Sequence, residues 1–143
     1  MRKCRIKLII NNFLPFFFGD MEVIYYFCNM NQDVRETFHS EEYEEYYAAL
    51  DEKTKEKYDY VELIIKTQQV VNLKFVKKLE GTEFYEARVS VGTNEYRTVI
   101  FAIDSLSFVQ CKRVLFLNSF LKKDTKQYKG EIEKARKIIK KYI

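Results

Sequence analysis

Three runs carry most of the structural information in this chain: EFYEARVSV at 83–91, EYRTVIFAI at 95–103 and VQCKRVLFLN at 109–118. Each run is rich in the β-branched and aromatic residues that favour strands. Gly92-Thr93-Asn94 and Asp104-Ser105 separate the runs, and both suit hairpin connections. The sequence therefore predicts a three-stranded antiparallel meander.

The segment before the meander predicts one strand and a helical hairpin. Residues 33–38 alternate polar side chains with apolar or β-branched ones, which is typical of a short strand. Ser40 suits the N-cap of a first helix, whose apolar face comprises Tyr43, Tyr46, Tyr47 and Leu50. A second helix is expected to begin near Asp51 or Thr54, with an apolar face of Tyr58, Val61, Ile64 and Ile65.

The rest of the chain predicts a turn and a last helix. Gly81 marks a turn into the first strand of the meander. Residues 130–143 place apolar side chains on one helical face and basic side chains mostly on the other. The order strand, helix, helix, three strands, helix predicts an α+β fold. In it, an N-terminal helical hairpin and a C-terminal amphipathic helix pack on an antiparallel sheet.

Length and composition favour a single domain over residues 21–143. With 143 residues, of which 47% are hydrophobic, the chain is long enough for one buried core and short for two. Residues 1–20 form an N-terminal extension in which basic residues precede an apolar run, as in a signal peptide. No small-residue cleavage site follows, and the run is too short to span a bilayer. Because Met21 opens a segment of different composition, three interpretations stay open: sequence upstream of the true start, an export or anchoring segment, or an ordinary extension.

Charge is distributed unevenly along the chain. Residues 20–60 hold twelve acidic and four basic side chains, whereas residues 112–143 hold eleven basic and three acidic ones. A basic surface attracts polyanions through counterion release, and an acidic one can stay in solvent or face a cationic partner. Alternatively, the two segments neutralise each other across the fold.

The sequence lacks the usual enzyme motifs. The three cysteines, Cys4, Cys28 and Cys111, form no C-x-x-C pair, which argues against a disulfide framework or a zinc knuckle and favours a cytoplasmic location. The chain has no P-loop, G-x-S-x-G or H-E-x-x-H motif. Its one histidine, His39, stands at a strand-to-helix junction and is expected to be structural. We expect neither a metal ion nor another cofactor.

Two arginines are the best candidates for chemistry. Arg88 and Arg97 stand in apolar-aromatic runs, where an unpaired buried charge is costly. Either they pair internally, with Glu86 or Glu95, or they contact an anion. Two guanidinium groups on neighbouring strands could clamp a phosphate and stabilise the charge that develops during its cleavage. RNA supplies its own nucleophile, the 2′-hydroxyl, so the protein would need only to position the strand, stabilise charge and exchange protons through a lysine or a tyrosine.

Three segments resemble the HigB-like toxins of the RelE/ParE superfamily. FVKKLEGTEFYEAR at 75–88 is similar to a family pattern in which a Lys-Lys-Leu turn precedes a strand ending in Glu-Leu-Arg, with Ala87 where leucine is usual. Tyr96-Arg97 is similar to the family's Tyr-Arg strand. Residues 117–135 resemble an L-x-x-F-x-K-K-x-x-K ending followed by E-I-x-x-A, and the likeness covers about residues 34–142.

The resemblance implies a RelE-like fold and a toxin that inhibits translation. Family members are metal-independent, ribosome-dependent mRNA endonucleases, and a helix-turn-helix antitoxin neutralises them. The implied partners are therefore mRNA in the ribosomal A site, the ribosome and a cognate antitoxin, with no membrane. Carried over by position, Arg88 and Arg97 would hold the phosphate with Lys122 in the catalytic set, while Lys123 and Lys126 would contact RNA.

The group that exchanges protons stays open. A histidine that one HigB subgroup uses near its C-terminus has no counterpart here, where Asn118 and Phe120 stand instead. Lys78, Tyr96 and Tyr128 are the alternative candidates, and the first two are also expected to contact RNA.

Two other functions compete with the nuclease. A ParE-like toxin would poison DNA gyrase by binding, without cutting nucleic acid. A non-catalytic RNA-binding or phage-derived accessory protein would fit the departure at Ala87 and the missing histidine. The Lys122-Lys123 pair favours the nuclease over the gyrase poison.

Overall fold

The computed structural model describes residues 2–3 and 33–143. The predicted α+β class is confirmed. Apart from Arg2–Lys3, the expected N-terminal extension lies outside the described residues, as do Met21, Cys4 and Cys28. In chain order the elements are β1 (Arg2–Lys3), β2 (Glu36–His39), α1 (Glu41–Ala48), α2 (Glu52–Thr67), β3 (Val76–Lys78), β4 (Tyr85–Val91), β5 (Asn94–Ala102), β6 (Arg113–Leu121) and α3 (Gln127–Ile139).

The described strands form one mixed sheet in the order β1-β2-β6-β5-β4-β3. The predicted meander is confirmed, since β4 pairs with β5 and β5 with β6, both antiparallel. The expectation of a wholly antiparallel sheet is wrong, because β2 pairs parallel with β6 and places His39 opposite Phe116. A parallel pair needs a long connection that returns the chain to its starting end, and the segment from α1 to β5 provides it.

Helices cover both faces of this sheet. Successive residues of a strand point to opposite faces, so the strands contribute to two cores. Ala87 and Val89 of β4 pack with Ile65 of α2 on the face of the helical hairpin. Val99 of β5 packs with Ala135 of α3 on the opposite face. The predicted hairpin and amphipathic helix therefore both pack on the sheet, one on each side.

Caps and turns follow the sequence closely. Ser40 is the N-cap of α1 as predicted, since its hydroxyl oxygen accepts the N–H of Tyr43 at 3.0 Å. Asp51 caps α2 in the same way and accepts the N–H of Thr54 at 2.7 Å. The predicted turn at Gly81 and the hairpin at Gly92 have positive φ angles of 72° and 60°. Glycine is favoured at both positions because it has no Cβ to oppose that conformation.

Several boundaries differ from the prediction. The strand expected over 33–38 begins at Glu36, and β3, which was not predicted, pairs with β4 over three residues. The strand expected at 109–118 begins at Arg113, because the N–H groups of Gln110 and Cys111 donate to the carbonyl of Ser107 in a turn. The helix expected over 130–143 spans Gln127–Ile139.

A buried arginine explains why β6 begins late. The Arg35 guanidinium, 1% exposed, donates to the carbonyls of Phe108, Ile65, Gln68 and Gln69. Its carbon also lies 4.6 Å from the centre of the Phe108 ring. These contacts tie the C-terminal end of α2, where unpaired carbonyls carry negative partial charge, to the loop before β6.

Candidate functional site

The structure brings Arg88 and Arg97 together. They lie directly opposite each other on β4 and β5, so both side chains point to the same face of the sheet. This is the face that α3 covers, and Phe120 of β6 lies opposite Arg97 on its other side. The two arginines selected from the sequence are therefore neighbours beside an aromatic ring.

Both guanidinium groups pair with carboxylates. Arg88 Nε lies 3.2 Å from Glu86 Oε1, and Arg97 Nε lies 3.9 Å from Glu86 Oε2. Arg97 Nη1 also donates to Glu95 Oε2 at 3.0 Å. Of the two possibilities that the sequence left open, internal pairing is present in the structure. We call Glu86, Arg88, Glu95 and Arg97 the arginine cluster.

The two arginines differ in their access to solvent. The side chain of Arg97 is 5% exposed, whereas that of Arg88 is 30% exposed. Within residues 33–143, Glu86 is the one carboxylate within ion-pair distance of Arg88. Arg88 can therefore contact a ligand directly. Arg97 is too buried for such a contact and instead pairs with Glu86 and Glu95.

Tyr128 joins the cluster from the start of α3. Its hydroxyl donates to Glu86 Oε2 at 2.7 Å, and its ring packs edge-on against that of Phe120 with the ring centres 5.5 Å apart. Burial, together with the hydrogen bond to Glu86, raises the pKa of Tyr128. The phenol therefore holds its proton at neutral pH. Of the three candidates for proton exchange, Tyr128 is the one that contacts the cluster.

From the sequence, Glu86 was expected only as a pairing partner, yet it contacts both arginines and Tyr128. The signal was present, since Glu86 and Arg88 are two residues apart on one strand and therefore share a face. Ser90 and Arg97 hydrogen-bond to Glu95 and lower its pKa despite the opposing effect of burial. Glu95 is therefore ionised at neutral pH and balances the charge of Arg97.

The three predicted lysines follow the strand end that adjoins the cluster. The backbone N–H of Lys122 donates to the carbonyl of Glu95 at 2.7 Å, which places it beside the cluster. Lys123 and Lys126 are exposed in the connection between β6 and α3. We call residues 122–126 the lysine loop. It adds positive charge next to the partly exposed Arg88 and the buried Arg97.

Lys78 and Tyr96 do not lie with the arginines. Lys78 is opposite Tyr85, and its amine lies 4.3 Å from the centre of that ring on the hairpin face of the sheet. Tyr96 is opposite Val89 on the same face, where its ring packs against Tyr58. The sheet separates both side chains from the arginine cluster.

His39 occupies a mostly buried position on β2, two strands away from β5, with its side chain 10% exposed. Its ring nitrogens lie 2.7 Å from Glu44 Oε1 and 2.9 Å from Glu62 Oε1, and its ring packs against Tyr43 and Phe116. This setting fits the structural role expected from the sequence.

No helix among residues 33–143 is both long and apolar enough to cross a bilayer. In the same part of the chain, no group of three or more His, Cys, Asp and Glu side chains could hold a metal ion.

No protein-family model, curated protein or solved structure matches the chain. The fold and the site define an α+β domain with a mixed sheet and an arginine cluster beneath a helix, next to a lysine loop.

Proposed function

We propose that the protein is a metal-independent endoribonuclease of RelE-like fold, the toxin of a type II toxin-antitoxin pair. Its substrate is mRNA in the ribosomal A site, and its action inhibits translation. The observation that carries the proposal is the direct opposition of Arg88 and Arg97 beside Tyr128. The helical hairpin on one face of the meander and α3 on the other support the RelE-like arrangement.

The proposed reaction is attack of the RNA 2′-hydroxyl on the adjacent phosphorus, with loss of the 5′-oxygen. The attacking hydroxyl gives its proton to Glu86, which passes a proton back to Tyr128 after Tyr128 has protonated the leaving oxygen. Arg88 contacts the phosphate and stabilises the charge that grows on its oxygens. Arg97 is a positioning residue, because it holds Glu86 and Glu95 in place from a buried site. Tyr128, whose raised pKa keeps it protonated, turns from Glu86 to give its proton to the leaving oxygen.

The first test is cleavage of mRNA by the purified protein, with and without ribosomes, mapped by primer extension. Arg88→Ala should reduce the cleavage rate by about 10²–10³, the usual effect of removing one charge-stabilising donor. Arg113→Ala is the matched control, since this exposed arginine lies at the opposite end of β6 from the lysine loop. Arg97→Ala is less informative, because it also removes one partner of Glu86, whose side chain is only 5% exposed, and so disturbs the packing of the site as well as its charge.

Tyr128→Phe tests the proton donor separately. It keeps the ring that packs on Phe120 and removes the hydroxyl, so the rate should fall by about 10²–10⁴ while RNA binding is retained. Unchanged cleavage in this variant would show that Tyr128 is not the proton donor. The proposed role of Arg88 would not depend on that result.

The pairing of both arginines with carboxylates favours a second candidate, a non-catalytic RNA-binding protein. RNA binding without cuts, in a protein that does not arrest growth, would support it. Growth arrest without RNA cuts would instead support a gyrase poison. Ribosome-dependent cuts that Arg88→Ala abolishes would exclude both.

An antitoxin with a helix-turn-helix domain is part of the proposal. It should cover the lysine loop with acidic side chains, because opposite charges steer and orient such complexes. The double variant Lys122→Glu, Lys123→Glu should therefore weaken antitoxin binding in a titration. Unchanged affinity would place the antitoxin elsewhere.

A further inference from the structure

A second polar site lies apart from the arginine cluster, in a pocket of about 370 Å³ between α1, α3 and the end of β6. The pocket exists because β2 ends at His39, opposite Phe116. Beyond that point no described strand pairs with β6 on this side, and the two helices leave an open space. The lining residues that matter here are Glu42, Tyr46, Asn118, Glu131, Lys134, Lys137 and Lys141.

Asn118 presents an unpaired acceptor in this pocket. The residue is 6% exposed, and its Nδ2 donates to the backbone carbonyl of Glu131 at 3.2 Å and to Glu131 Oε2 at 2.8 Å. Both partners are acceptors, so the amide cannot be turned round without losing both bonds. Asn118 Oδ1 therefore stays buried without a partner among the described residues. Buried polar atoms of this kind are rare, and a ligand is one explanation for them.

Two charged residues near Asn118 add groups that could bind a ligand: an acceptor on Glu42 and an ammonium group on Lys137, both unpaired within the described part of the chain. Glu42 Oε1 pairs with Lys141, but Glu42 Oε2 is buried and has no partner in residues 33–143. Lys134 pairs with Glu131 at 2.9 Å. No described carboxylate lies within ion-pair distance of Lys137, which is exposed on the pocket wall. The pocket therefore offers two acceptors, one free ammonium group and the ring of Tyr46.

We propose that this pocket binds a nucleoside monophosphate unit, either free or within an RNA strand. Lys137 contacts the phosphate, and Glu42 accepts a ribose hydroxyl. Asn118 Oδ1 accepts an N–H of the base, which lies against the ring of Tyr46. The volume falls within the range of about 300–1,000 Å³ that is usual for small-molecule sites. If the bound nucleotide is part of an RNA strand, this inference rests on the proposed function. The pocket would then bind a nucleotide of the substrate other than the one at the cleaved phosphate.

The test is an NMR titration of the ¹⁵N-labelled full chain with each of the four nucleoside monophosphates and with a short single-stranded RNA. Signals of Asn118, Glu131 and Lys137 should move. In Lys137→Ala the affinity should fall about tenfold, since a hydrogen bond to a charged group is lost. Lys129→Ala is the control, because Lys129 is also exposed on α3 but does not line the pocket.

Asn118→Leu provides a second variant that keeps the side-chain size and removes the amide. It should lose base discrimination among the four nucleotides, provided that its amide spectrum shows the native fold. If that variant unfolds, Tyr46→Leu takes its place and should weaken binding of every nucleotide.

Each outcome separates the two proposals. If no NMR signal of a pocket residue moves with any nucleotide or with RNA, the nucleotide-binding proposal is wrong. The cleavage assay tests the arginine cluster independently of this result. Equal weakening by Lys137→Ala and Lys129→Ala would also overturn the nucleotide-binding proposal, since the attraction would then be general. Nucleotide binding in a protein that neither binds nor cuts RNA would support the pocket and reject the proposed nuclease.

Discussion

At the scale of single residues, His39 makes the stability of the fold depend on pH. The ring lies between Glu62 and Glu44, and the Thr37 hydroxyl donates to Glu62 on the same side. Burial alone would lower the pKa of His39, but the hydrogen bonds and charges of Glu62 and Glu44 outweigh it. The pKa of His39 is therefore raised above 6.5 in the folded state.

The sign of the pH effect follows from this shift. A raised folded pKa means that folding favours the protonated ring, so its contribution to stability is complete below pH 6.5. That contribution is lost as the pH rises through the folded pKa. Urea unfolding at a series of pH values should show the decline, and His39→Gln should flatten it. An equal slope in the variant would assign the decline to other groups.

Arg35 is a second residue whose removal should be costly. Arg35→Met keeps much of the volume. It leaves the buried carbonyl of Ile65 without its donor and that of Phe108 with only the weak thiol donor of Cys111, at a cost of about 3 kcal/mol in the free energy of unfolding. Arg113→Met is the control, since Arg113 is exposed and its one ion pair measures 4.0 Å. Its cost should stay below about 0.5 kcal/mol. Similar losses in the two variants would contradict the anchoring role.

At the scale of elements, two glycines should respond to the same substitution with opposite sign. Gly92 has a φ of 60° in the β4–β5 turn, so Gly92→Ala should destabilise the fold by about 1 kcal/mol. Gly130 lies inside α3 with open space around its missing Cβ, so Gly130→Ala should stabilise it by about 0.5–1 kcal/mol. Urea unfolding measures both, and equal signs would mean that one of the two backbone descriptions is wrong.

Local sequence patterns predict some element boundaries and miss others that depend on distant residues. The cap at Ser40 and the turn at Gly92 act on neighbouring residues, so the sequence predicted them correctly, and it placed the start of α2 near Asp51 or Thr54. β3 is too short to show a period, and it forms because β4 offers a partner. The start of β6 depends on Phe108, which Arg35 holds from 73 positions earlier in the chain.

At the scale of the whole molecule, the described parts of the two oppositely charged segments, residues 33–60 and 112–143, share few charged contacts. Lys141 pairs with Glu42, and the Tyr142 hydroxyl accepts the N–H of Glu41, so the ends of α3 and α1 are joined. The lysine loop is at the other end of α3, away from this contact. Within residues 33–143, mutual neutralisation is therefore partial, and the lysine loop is available to bind a polyanion.

The salt dependence of RNA binding should report that charge. Each phosphate contact to single-stranded nucleic acid contributes about −0.7 to the slope of log affinity against log salt. Replacing Lys122, Lys123 and Lys126 by alanine should therefore reduce the slope by about 2. The control replaces Lys53, Lys112 and Arg113, which are exposed away from the arginine cluster and the lysine loop. A slope that changes equally in both triple variants would mean that the loop is not the RNA-binding surface.

The candidate site was only partly readable from the sequence. The arginines stood out because charge is rare in such strands, and β4–β5 pairing made them neighbours. The contact of Tyr128 with Glu86 spans 42 residues and depends on how α3 packs on the sheet. The resemblance placed Lys78 and Tyr96 with the arginines, but strand alternation directs both to the opposite face.

Local chemistry in the chain accounts for the helical hairpin, the meander and the amphipathic α3, because periodicity, caps and turn residues act within a few positions. Packing between distant segments accounts for the parallel pairing of β2 with β6, the burial of Arg97 and the pocket beside Asn118. None of these three has a local pattern. Each depends on contacts between residues that are far apart in the sequence. The free energy of such contacts depends on both partners, so no single segment predicts it.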